Sequence, residues 1–274
     1  MTTGVIYLLT SMKLASRLLV SIYSLRKWYD GPISVFTTKP KAYEFGQLLA
    51  AESRLRVEVC KCRQRPGRGY QAAYLTKTDV LQHSPYEATI FFDADTLIVG
   101  SIAELVESAA DVPVTATCFC NWKTTDEIMR KRIEAWRPLA GAPGDEFDLQ
   151  SLIDMALSVP FAAINSGVFA VQRESRFLIR WRALTWYARE HGFPDEVSLQ
   201  LLLPTTEHRL LGMHFNAHPY SIEDTDFVRI WHFAGFSHLD PLCRDLWLQV
   251  YEECYNANLV GLQSLPAVTQ LPIS

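Results

Sequence analysis

Two aspartates, Asp93 and Asp95, stand on either side of Ala94 at the end of a run of β-forming residues. Residues i and i+2 of an extended backbone project to the same side, so the two carboxylates can converge on one cation. Paired carboxylates suit Mg²⁺ or Mn²⁺, and such an ion commonly bridges to substrate phosphates. A strand followed by an acidic turn, with no metal, is the alternative interpretation.

Other polar residues with possible chemical roles interrupt apolar or helical segments elsewhere in the chain. They are Lys77 in a helical segment, Asn165, Ser166 and Gly167 inside an apolar strand, Asp195 and Glu196 after Pro194, and His232 and Gly235 at the end of a late strand. Taken singly, each has an ordinary structural explanation. A helical lysine is commonly solvated, and a histidine at a strand end is more often structural than a metal ligand.

The elements that must position these residues alternate between strand and helix. The predicted strands are Val5–Leu9, Ile33–Thr37, Leu55–Val59, Glu87–Phe92, Val112–Cys118, Ala162–Val171 and Val228–Phe233. The predicted helices are Leu14–Leu25, Tyr43–Ala51, Gln71–Gln82, Ile102–Ala109, with Ser101 and Glu104 forming a capping box, and Arg176–Glu190. This alternation predicts an α/β fold with a mostly parallel central sheet and helices on both faces. Ligands bind such sheets at the carboxyl ends of the strands.

Composition narrows the class of protein. The 274 residues are 49% hydrophobic and 20% charged, which is typical of a globular protein, and the net charge of −4 argues against nucleic acid as a partner. No apolar run reaches the length of a transmembrane segment, and the amino terminus lacks the pattern of a signal peptide. We therefore expect a cytoplasmic protein with free thiols. The pairs Cys60/Cys62 and Cys118/Cys120 lack the usual spacing of zinc ligands.

The pattern predicts one domain over residues 1–258 and a carboxyl-terminal tail over 259–274. Residues 121–152 read as an irregular insertion that could act as an acceptor lid. The basic loop 61–69 is interpreted as a surface turn, with contact to a diphosphate or an acidic acceptor as the alternative.

In their order along the chain, these motifs resemble the glycogenin-like retaining glycosyltransferases of family 8, which have the GT-A nucleotide-diphospho-sugar transferase fold. That family's pattern is a helical Lys, Asp-x-Asp, Asn-Ser/Ala-Gly, Asp-Gln and His-x-x-Gly-x-x-Lys-Pro, and the resemblance runs from Val5 to about Gly235. It implies a hexosyltransferase that moves a sugar from a nucleotide-diphosphate sugar, expected to be a UDP-sugar, with retention. Mn²⁺, or else Mg²⁺, is the implied ion. The acceptor, whether glycan, protein or small molecule, is left open.

The resemblance also implies a role for individual residues. It places the metal ligands at Asp93, Asp95 and His232 and the catalytic residues at Asn165, Asp195 and Glu196. It places contacts to the donor at Tyr7, Thr10, Lys77, Asp93, Ala94, Ser166, Gly167, Gly235 and His238. Tyr7 and Thr10 would lie near the uracil and ribose, although Tyr7 could instead belong to the core.

Two departures from the family pattern bear on activity. Glu196 replaces the family's glutamine, and His238 stands where the lysine of Lys-Pro is expected. Glu196 could act as a nucleophile, bind the sugar, or cap and pair locally at the start of a helix. His238, Arg68 or Arg229 could replace the missing lysine, or the donor could bind weakly.

Two other functions remain as alternatives. A transferase-like protein that binds nucleotide sugars with little turnover would be consistent with the missing lysine. A haloacid-dehalogenase-like phosphohydrolase also begins from Asp-x-Asp after an apolar strand. It expects Thr or Val four residues after the first aspartate, where this chain has Leu97, and a motif near the start of the chain. The phosphohydrolase is therefore disfavoured.

Overall fold

The structure, a computed structural model, describes residues 1–67, 70–119, 125–158, 162–219, 225–234 and 241–260. The strands in these ranges are β1 Thr3–Leu9, β2 Ile33–Thr37, β3 Val57–Lys61, β4 Ala88–Phe92, β5 Thr96–Ile98, β6 Val114–Cys118, β7 Ile164–Gln172, β8 His208–Leu211 and β9 Ile230–His232. The helices are α1 Ala15–Arg26, α2 Pro40–Ala51, α3 Tyr70–Gln82, α4 Ala103–Asp111, α5 Thr125–Glu134, α6 Leu149–Ser158, α7 Arg176–Tyr187, α8 Pro194–Leu202 and α9 Pro241–Asn256.

Seven strands form the central sheet in the order β3-β2-β1-β4-β7-β6-β8. Strands β3, β2, β1 and β4 are mutually parallel, β7 runs antiparallel to both of its neighbours, and β8 is parallel to β6. Strands β5 and β9 form a separate antiparallel pair. The predicted mostly parallel α/β sheet is confirmed.

Helices cover both faces of the sheet, as the alternation along β1 shows. Val5, Tyr7 and Leu9 pack in one hydrophobic cluster with α1, α2, α4 and α9, whereas Ile6 and Leu8 pack in a second cluster with α3 and α5 to α8. Successive side chains of a strand point to opposite faces, so a strand covered on both faces is apolar throughout.

The predicted capping box before α4 is wrong. The helix begins at Ala103, and Ile102 occupies the N-cap position without a side-chain cap. Ile102 is 1% exposed and packs in the first hydrophobic cluster, which holds it outside the first helical turn. Ser101 instead accepts a hydrogen bond from the backbone N–H of Ala103 at 3.3 Å.

The stretch predicted to be irregular, 121–152, contains α5 and the start of α6. Helix α5 is strongly polar, but Met129 and Ile133, one turn apart, are buried together with Trp136 against the second cluster. Two apolar residues at helical spacing are a weak sequence signal for a helix. They stabilise the helix only when they can pack against another surface of the protein. Residues 121–124 lie outside the described residues.

At the carboxyl end, α9 packs on α1, and Lys27 and Glu253 form an ion pair at 2.6 Å. Of the predicted tail, residues 261–274 lie outside the described residues. Within the described ranges no helix combines the length and apolarity needed to cross a membrane. Among the described residues, Cys60, Cys62 and Cys254 are free thiols.

Candidate active site

Asp93, Asp95 and His232 form one cluster of potential metal ligands. Each offers a ligand atom, and these atoms lie within 4.8 Å of one another. The His232 Nε2 atom is 3.8 Å from an Asp93 oxygen and 3.5 Å from an Asp95 oxygen. The two carboxylates and one imidazole nitrogen are a donor set that Mn²⁺ and Mg²⁺ can share.

Backbone pairing brings the histidine to the aspartates. Thr96 of β5 lies opposite His232 of β9, and the Phe233 N–H donates to the carbonyl oxygen of Asp95 at 2.9 Å. The Asp93 N–H donates to the carbonyl oxygen of Gly167 at 2.8 Å. Segments from three parts of the sequence are thus tied together at the end of β4.

A chain of hydrogen bonds orients the His232 ring. Its Nδ1 atom lies 2.8 Å from Oδ1 of Asn216, whose Nδ2 donates to Oγ1 of Thr117 at 2.9 Å. The Thr117 hydroxyl in turn donates to the carbonyl oxygen of Val168 at 2.6 Å. Since the Thr117 proton is used there, the Asn216 amide must present its oxygen to His232. Nδ1 then carries the proton, and the lone pair of Nε2 faces the two carboxylates.

Gly167 makes room for this cluster. A β-carbon at this position would lie 2.2 Å from Cε1 of His232 and 2.8 Å from the nearest carboxylate oxygen of Asp93. The atoms that approach Gly167 most closely are thus side-chain atoms, including those of two of the ligands.

The pKa values of the two aspartates in the cluster shift in opposite directions. Partial burial raises the pKa of Asp93, and the charge of Lys77 offsets only part of that rise. Burial acts on Asp95 in the same direction, but the hydrogen bond and charge of His232, with Arg17, bring its pKa below the ordinary value. Burial lowers the pKa of His232, and Asp95 and Asp93 more than reverse this, so it lies above the ordinary value. The cluster therefore favours a positive charge between the carboxylates.

Lys77 is not solvated, and connects the two acidic motifs. Its Nζ lies 3.4 Å from Asp93 and 3.1 Å from Asp195, and donates to the carbonyl and hydroxyl oxygens of Ser166 at 3.0 Å. Burial alone would lower the pKa of Lys77, but Asp93 and Asp195 raise it above the ordinary value. Contact of this lysine with the donor stays a prediction.

Asp195 is 1% exposed and is bound to the Asn165-Ser166-Gly167 segment through Ser166. Its Oδ2 accepts a hydrogen bond from the Ser166 hydroxyl at 2.7 Å, and its backbone carbonyl accepts from Nε1 of Trp181 at 2.8 Å. Its Oδ1 has no hydrogen-bond partner among the described residues, although it is buried. Since an unsatisfied buried acceptor is costly, a polar ligand group at this point would be stabilised.

Glu196 is bound through both carboxylate oxygens. Oε1 accepts from the Arg132 guanidinium, and Oε2 accepts from Nδ2 of Asn165 at 2.7 Å. Burial raises the pKa of Glu196 to about 7, because it outweighs the opposing charge of Arg132. Glu196 lies in the first turn of α8, so the prediction of a helix start is right about its position. Its side chain bonds to other elements rather than capping the helix.

The other residues predicted to contact the donor differ in how deeply they are buried. Tyr7 is fully buried in the first hydrophobic cluster and its hydroxyl lies 2.9 Å from the Ser21 hydroxyl, so the structure favours its core alternative. Ala94 is also buried, whereas Thr10 is partly exposed. Arg229 packs against Gly100. Gly235, His238 and Arg68 lie outside the described residues.

In the basic loop, the Arg65 guanidinium pairs with Asp79 and stacks over the Trp186 ring at 5.3 Å. Arg182 pairs with the same aspartate at 2.5 Å. This part of the loop is thus bound to α3 and α7. Arg63, Pro66 and Gly67 of the same loop are exposed, which agrees with the predicted surface turn.

Sequence reasoning missed Asn216, Thr117, Arg132 and Arg17. Arg17 lies 3.9 Å from Asp95, and the other three orient His232 or Glu196. No spacing connects them to the motifs, because they reach the site from separate elements. The polar helix that carries Arg132 was the one available signal.

Comparisons with known proteins agree with the family predicted from the sequence motifs. The family model of the Rhodobacterales glycosyltransferase domain matches residues 6–207. No curated protein matches the chain. Among solved structures, the galactosyltransferase LgtC in complex with donor and acceptor sugar analogues is 12% identical with a TM-score of 0.64, covering 91% of this chain and 95% of that one.

Two further structures share the fold. Mouse xyloside xylosyltransferase 1 is 14% identical with a TM-score of 0.57, covering 85% of this chain and 97% of its own. The glycosyltransferase GlyE of Streptococcus pneumoniae is 11% identical with a TM-score of 0.59, covering 94% of this chain and 64% of its own. The fold is thus that of GT-A glycosyltransferases.

The glycosyltransferase predicted from the motifs is confirmed by the family model, and its predicted GT-A fold by the solved structures. The family match also decides against the phosphohydrolase alternative. With its family model covering most of the sheet and the Asp93–Asp95 motif, this chain belongs to the Rhodobacterales glycosyltransferase domain family and is a glycosyltransferase of the GT-A fold.

Proposed function

We propose that this protein is a Mn²⁺-dependent hexosyltransferase that uses a UDP-sugar and retains the configuration of the transferred sugar. The observation that carries the proposal is the convergence of Asp93, Asp95 and His232 within 4.8 Å at the carboxyl end of β4. This is the end of a parallel sheet at which ligands bind. Residues 1–258 are proposed to act as one catalytic domain.

The three ligands fit a divalent ion in chemistry as well as in position. They provide two carboxylates and an imidazole whose Nδ1 is bound to Asn216, so Nε2 is available. A divalent ion held here would stabilise the negative charge of the departing diphosphate as a Lewis acid.

The remaining residues would bind and orient the donor sugar. Lys77 holds Ser166 and Asp195 in place, and the unpartnered Oδ1 of Asp195 could accept a hydrogen bond from a sugar hydroxyl. Asn165 and Glu196 form the polar wall beside it. These contacts would place the anomeric carbon next to the acceptor.

Retention can follow from two routes in this site. Glu196 could attack the anomeric carbon and form a covalent intermediate, or the acceptor could attack from the face that the diphosphate leaves. The hydrogen bonds that Glu196 accepts from Arg132 and Asn165 orient its carboxylate but reduce the nucleophilicity of that group. Front-face transfer, with Glu196 binding the sugar, is therefore the favoured route.

The experiment is a screen of nucleotide sugars by thermal shift, with and without Mn²⁺, followed by measurement of UDP release. A ligand that binds the native state stabilises it by RT ln(1 + [L]/Kd), so the melting temperature rises with affinity and with ligand concentration. We expect a Mn²⁺-dependent shift with UDP and with at least one UDP-sugar, and slow release of UDP by hydrolysis when no acceptor is present. NMR of the product then gives the anomeric configuration.

Each alternative has its own result in this screen. A Mn²⁺-dependent shift without any UDP release, even with an acceptor library, would indicate the transferase-like binding protein. Stabilisation by another nucleotide diphosphate, and not by UDP, would contradict the choice of donor. An inverted product would contradict retention.

A further inference from the structure

Position 196 is surrounded by hydrogen-bond donors. The Arg132 guanidinium donates to Oε1 and the Asn165 amide nitrogen donates to Oε2 at 2.7 Å. Asn165 cannot turn its oxygen towards position 196, because that oxygen already accepts from the Gly167 N–H at 2.7 Å. Both contacts therefore require an acceptor at position 196.

A carboxylate meets this requirement and an amide does not. Glutamine has one acceptor oxygen and one NH₂ group, so its NH₂ would face either the guanidinium or the Asn165 amide. A buried donor placed against another donor is left without an acceptor, which destabilises the folded state. The departure of this chain from the family's Asp-Gln pattern is thus matched by a charged partner from α5.

Arg132 is itself held in position. Its guanidinium lies 3.9 Å from the centroid of the Phe193 ring, three residues before Glu196. Phe193 has a left-handed backbone conformation, with φ of 54°, directly before Pro194. A non-glycine residue in this conformation is strained, and the residue before a proline more so, which indicates that the surrounding contacts determine it.

We infer that Arg132 is a positioning residue which, together with Asn165, holds the Glu196 carboxylate in one fixed orientation beside the Asn165-Ser166-Gly167 segment. The guanidinium neutralises a carboxylate that is only 7% exposed, and its fork shape sets the direction of that carboxylate. The role of this pair in transfer rests on the function proposed above, whereas the fixing of Glu196 by Arg132 does not.

The experiment compares Arg132→Gln, Arg132→Lys, Glu196→Gln and the double variant Arg132→Gln/Glu196→Gln. Lys131→Gln is the matched control, because it removes the same charge from the adjacent exposed position of α5. Arg132 is about one-third exposed, so its variants are expected to fold.

The first measurement is the melting temperature at pH 8. We expect Arg132→Gln to lower it in the wild-type background and to leave it unchanged or raise it in the Glu196→Gln background, where one donor is removed. Equal losses in both backgrounds would show that Arg132 acts independently of Glu196 and would overturn the inference. Lys131→Gln should change the melting temperature by the same amount in the wild-type and Glu196→Gln backgrounds.

The second measurement is the pH dependence of UDP release. The charged groups that act on Glu196 are Arg132 from α5, Lys77 from α3 and the neighbouring Asp195, with Tyr74 of α3 nearby. Removing an adjacent opposite charge raises a carboxyl pKa by about 1–3 units. Arg132→Gln should therefore move the acidic limb of the profile to higher pH by about one unit, with Arg132→Lys partly restoring it. An unmoved limb would overturn the role in transfer.

The two measurements separate failure of this inference from failure of the proposed function. If wild-type protein releases UDP from no UDP-sugar, the proposed function is contradicted. The melting temperatures then still decide whether Arg132 fixes Glu196.

Discussion

The α-carbon of Gly167 faces the ring of His232 so closely that a β-carbon would lie 2.2 Å from Cε1 of the histidine. Contacts between real β-carbons and other heavy atoms are longer, so a side chain here must move His232, Asp93 or Asn165. The close approach couples the strand β7 to the metal ligands.

We therefore expect Gly167→Ala to weaken Mn²⁺ affinity at least tenfold and to lower the free energy of unfolding by about 1–3 kcal/mol through overpacking. The Mn²⁺ affinity is measured by titrating Mn²⁺ in the presence of UDP and recording the thermal shift at each concentration. Gly192→Ala is the matched control, because no atom lies within 4 Å of its added β-carbon. Equal Mn²⁺ affinity in Gly167→Ala and wild type would show that the ligand cluster tolerates displacement.

Asp95→Ala should abolish Mn²⁺-dependent stabilisation by UDP and leave the fold intact. His232→Ala should reduce it less completely, because a water molecule can replace one neutral ligand on an octahedral ion. The comparison uses thermal shift with UDP over a range of Mn²⁺ concentrations. A normal response in Asp95→Ala would reject the metal site, and a normal response in His232→Ala would show that the histidine is structural.

Asn216→Leu should lower Mn²⁺ affinity by about 10–100-fold, as losses of partners to metal-binding histidines commonly do. Leucine fills a similar volume but cannot accept from Nδ1 of His232. The circular dichroism spectrum should remain that of wild type. Asn216→Asp, which keeps the acceptor oxygen, should retain most of the affinity, and equal losses in both variants would contradict the orienting role.

Lys77→Met should destabilise the protein by about 3 kcal/mol, because it leaves Asp93 and Asp195 without their shared cation. Urea unfolding measures this loss. Lys131→Met, at an exposed position of α5, is expected to change the free energy of unfolding by less than about 0.5 kcal/mol. Similar small losses for both would show that Lys77 is not required to neutralise the two aspartates.

Glu196 predicts a specific pH dependence of stability. Burial raises the pKa of Glu196 from its ordinary value of 4.5 to about 7 in the folded protein. Between these values the folded state binds a proton that the unfolded state has lost, so stability falls as pH rises. Relative to Glu196→Gln, wild type should lose about 3 kcal/mol from pH 4.5 to above 7, since one unit corresponds to about 1.4 kcal/mol. Parallel stability curves would contradict the raised pKa.

The sequence alone predicted the main helices and strands and the Asp93-Ala94-Asp95 motif. The apolar run of β4 followed by Asp93-Ala94-Asp95 predicts a buried strand with two carboxylates on one side, and the alternation of helices and strands predicts the sheet. These are local properties, determined by side-chain period and by the rise of the backbone. The order of motifs along the chain was sufficient to predict the glycosyltransferase family.

The partners of those motifs were decided only by the tertiary structure. The sequence separation between His232 and Asn216, or between Glu196 and Arg132, carries no periodic signal, because each pair forms where separate elements pack. The same is true of Lys77, which the family pattern places at the donor and which the structure buries, at 5% exposure, between two aspartates. Burial strengthens electrostatic interactions and requires a partner for every charge, so the side chains that set the chemistry of this site are selected by packing across distant segments.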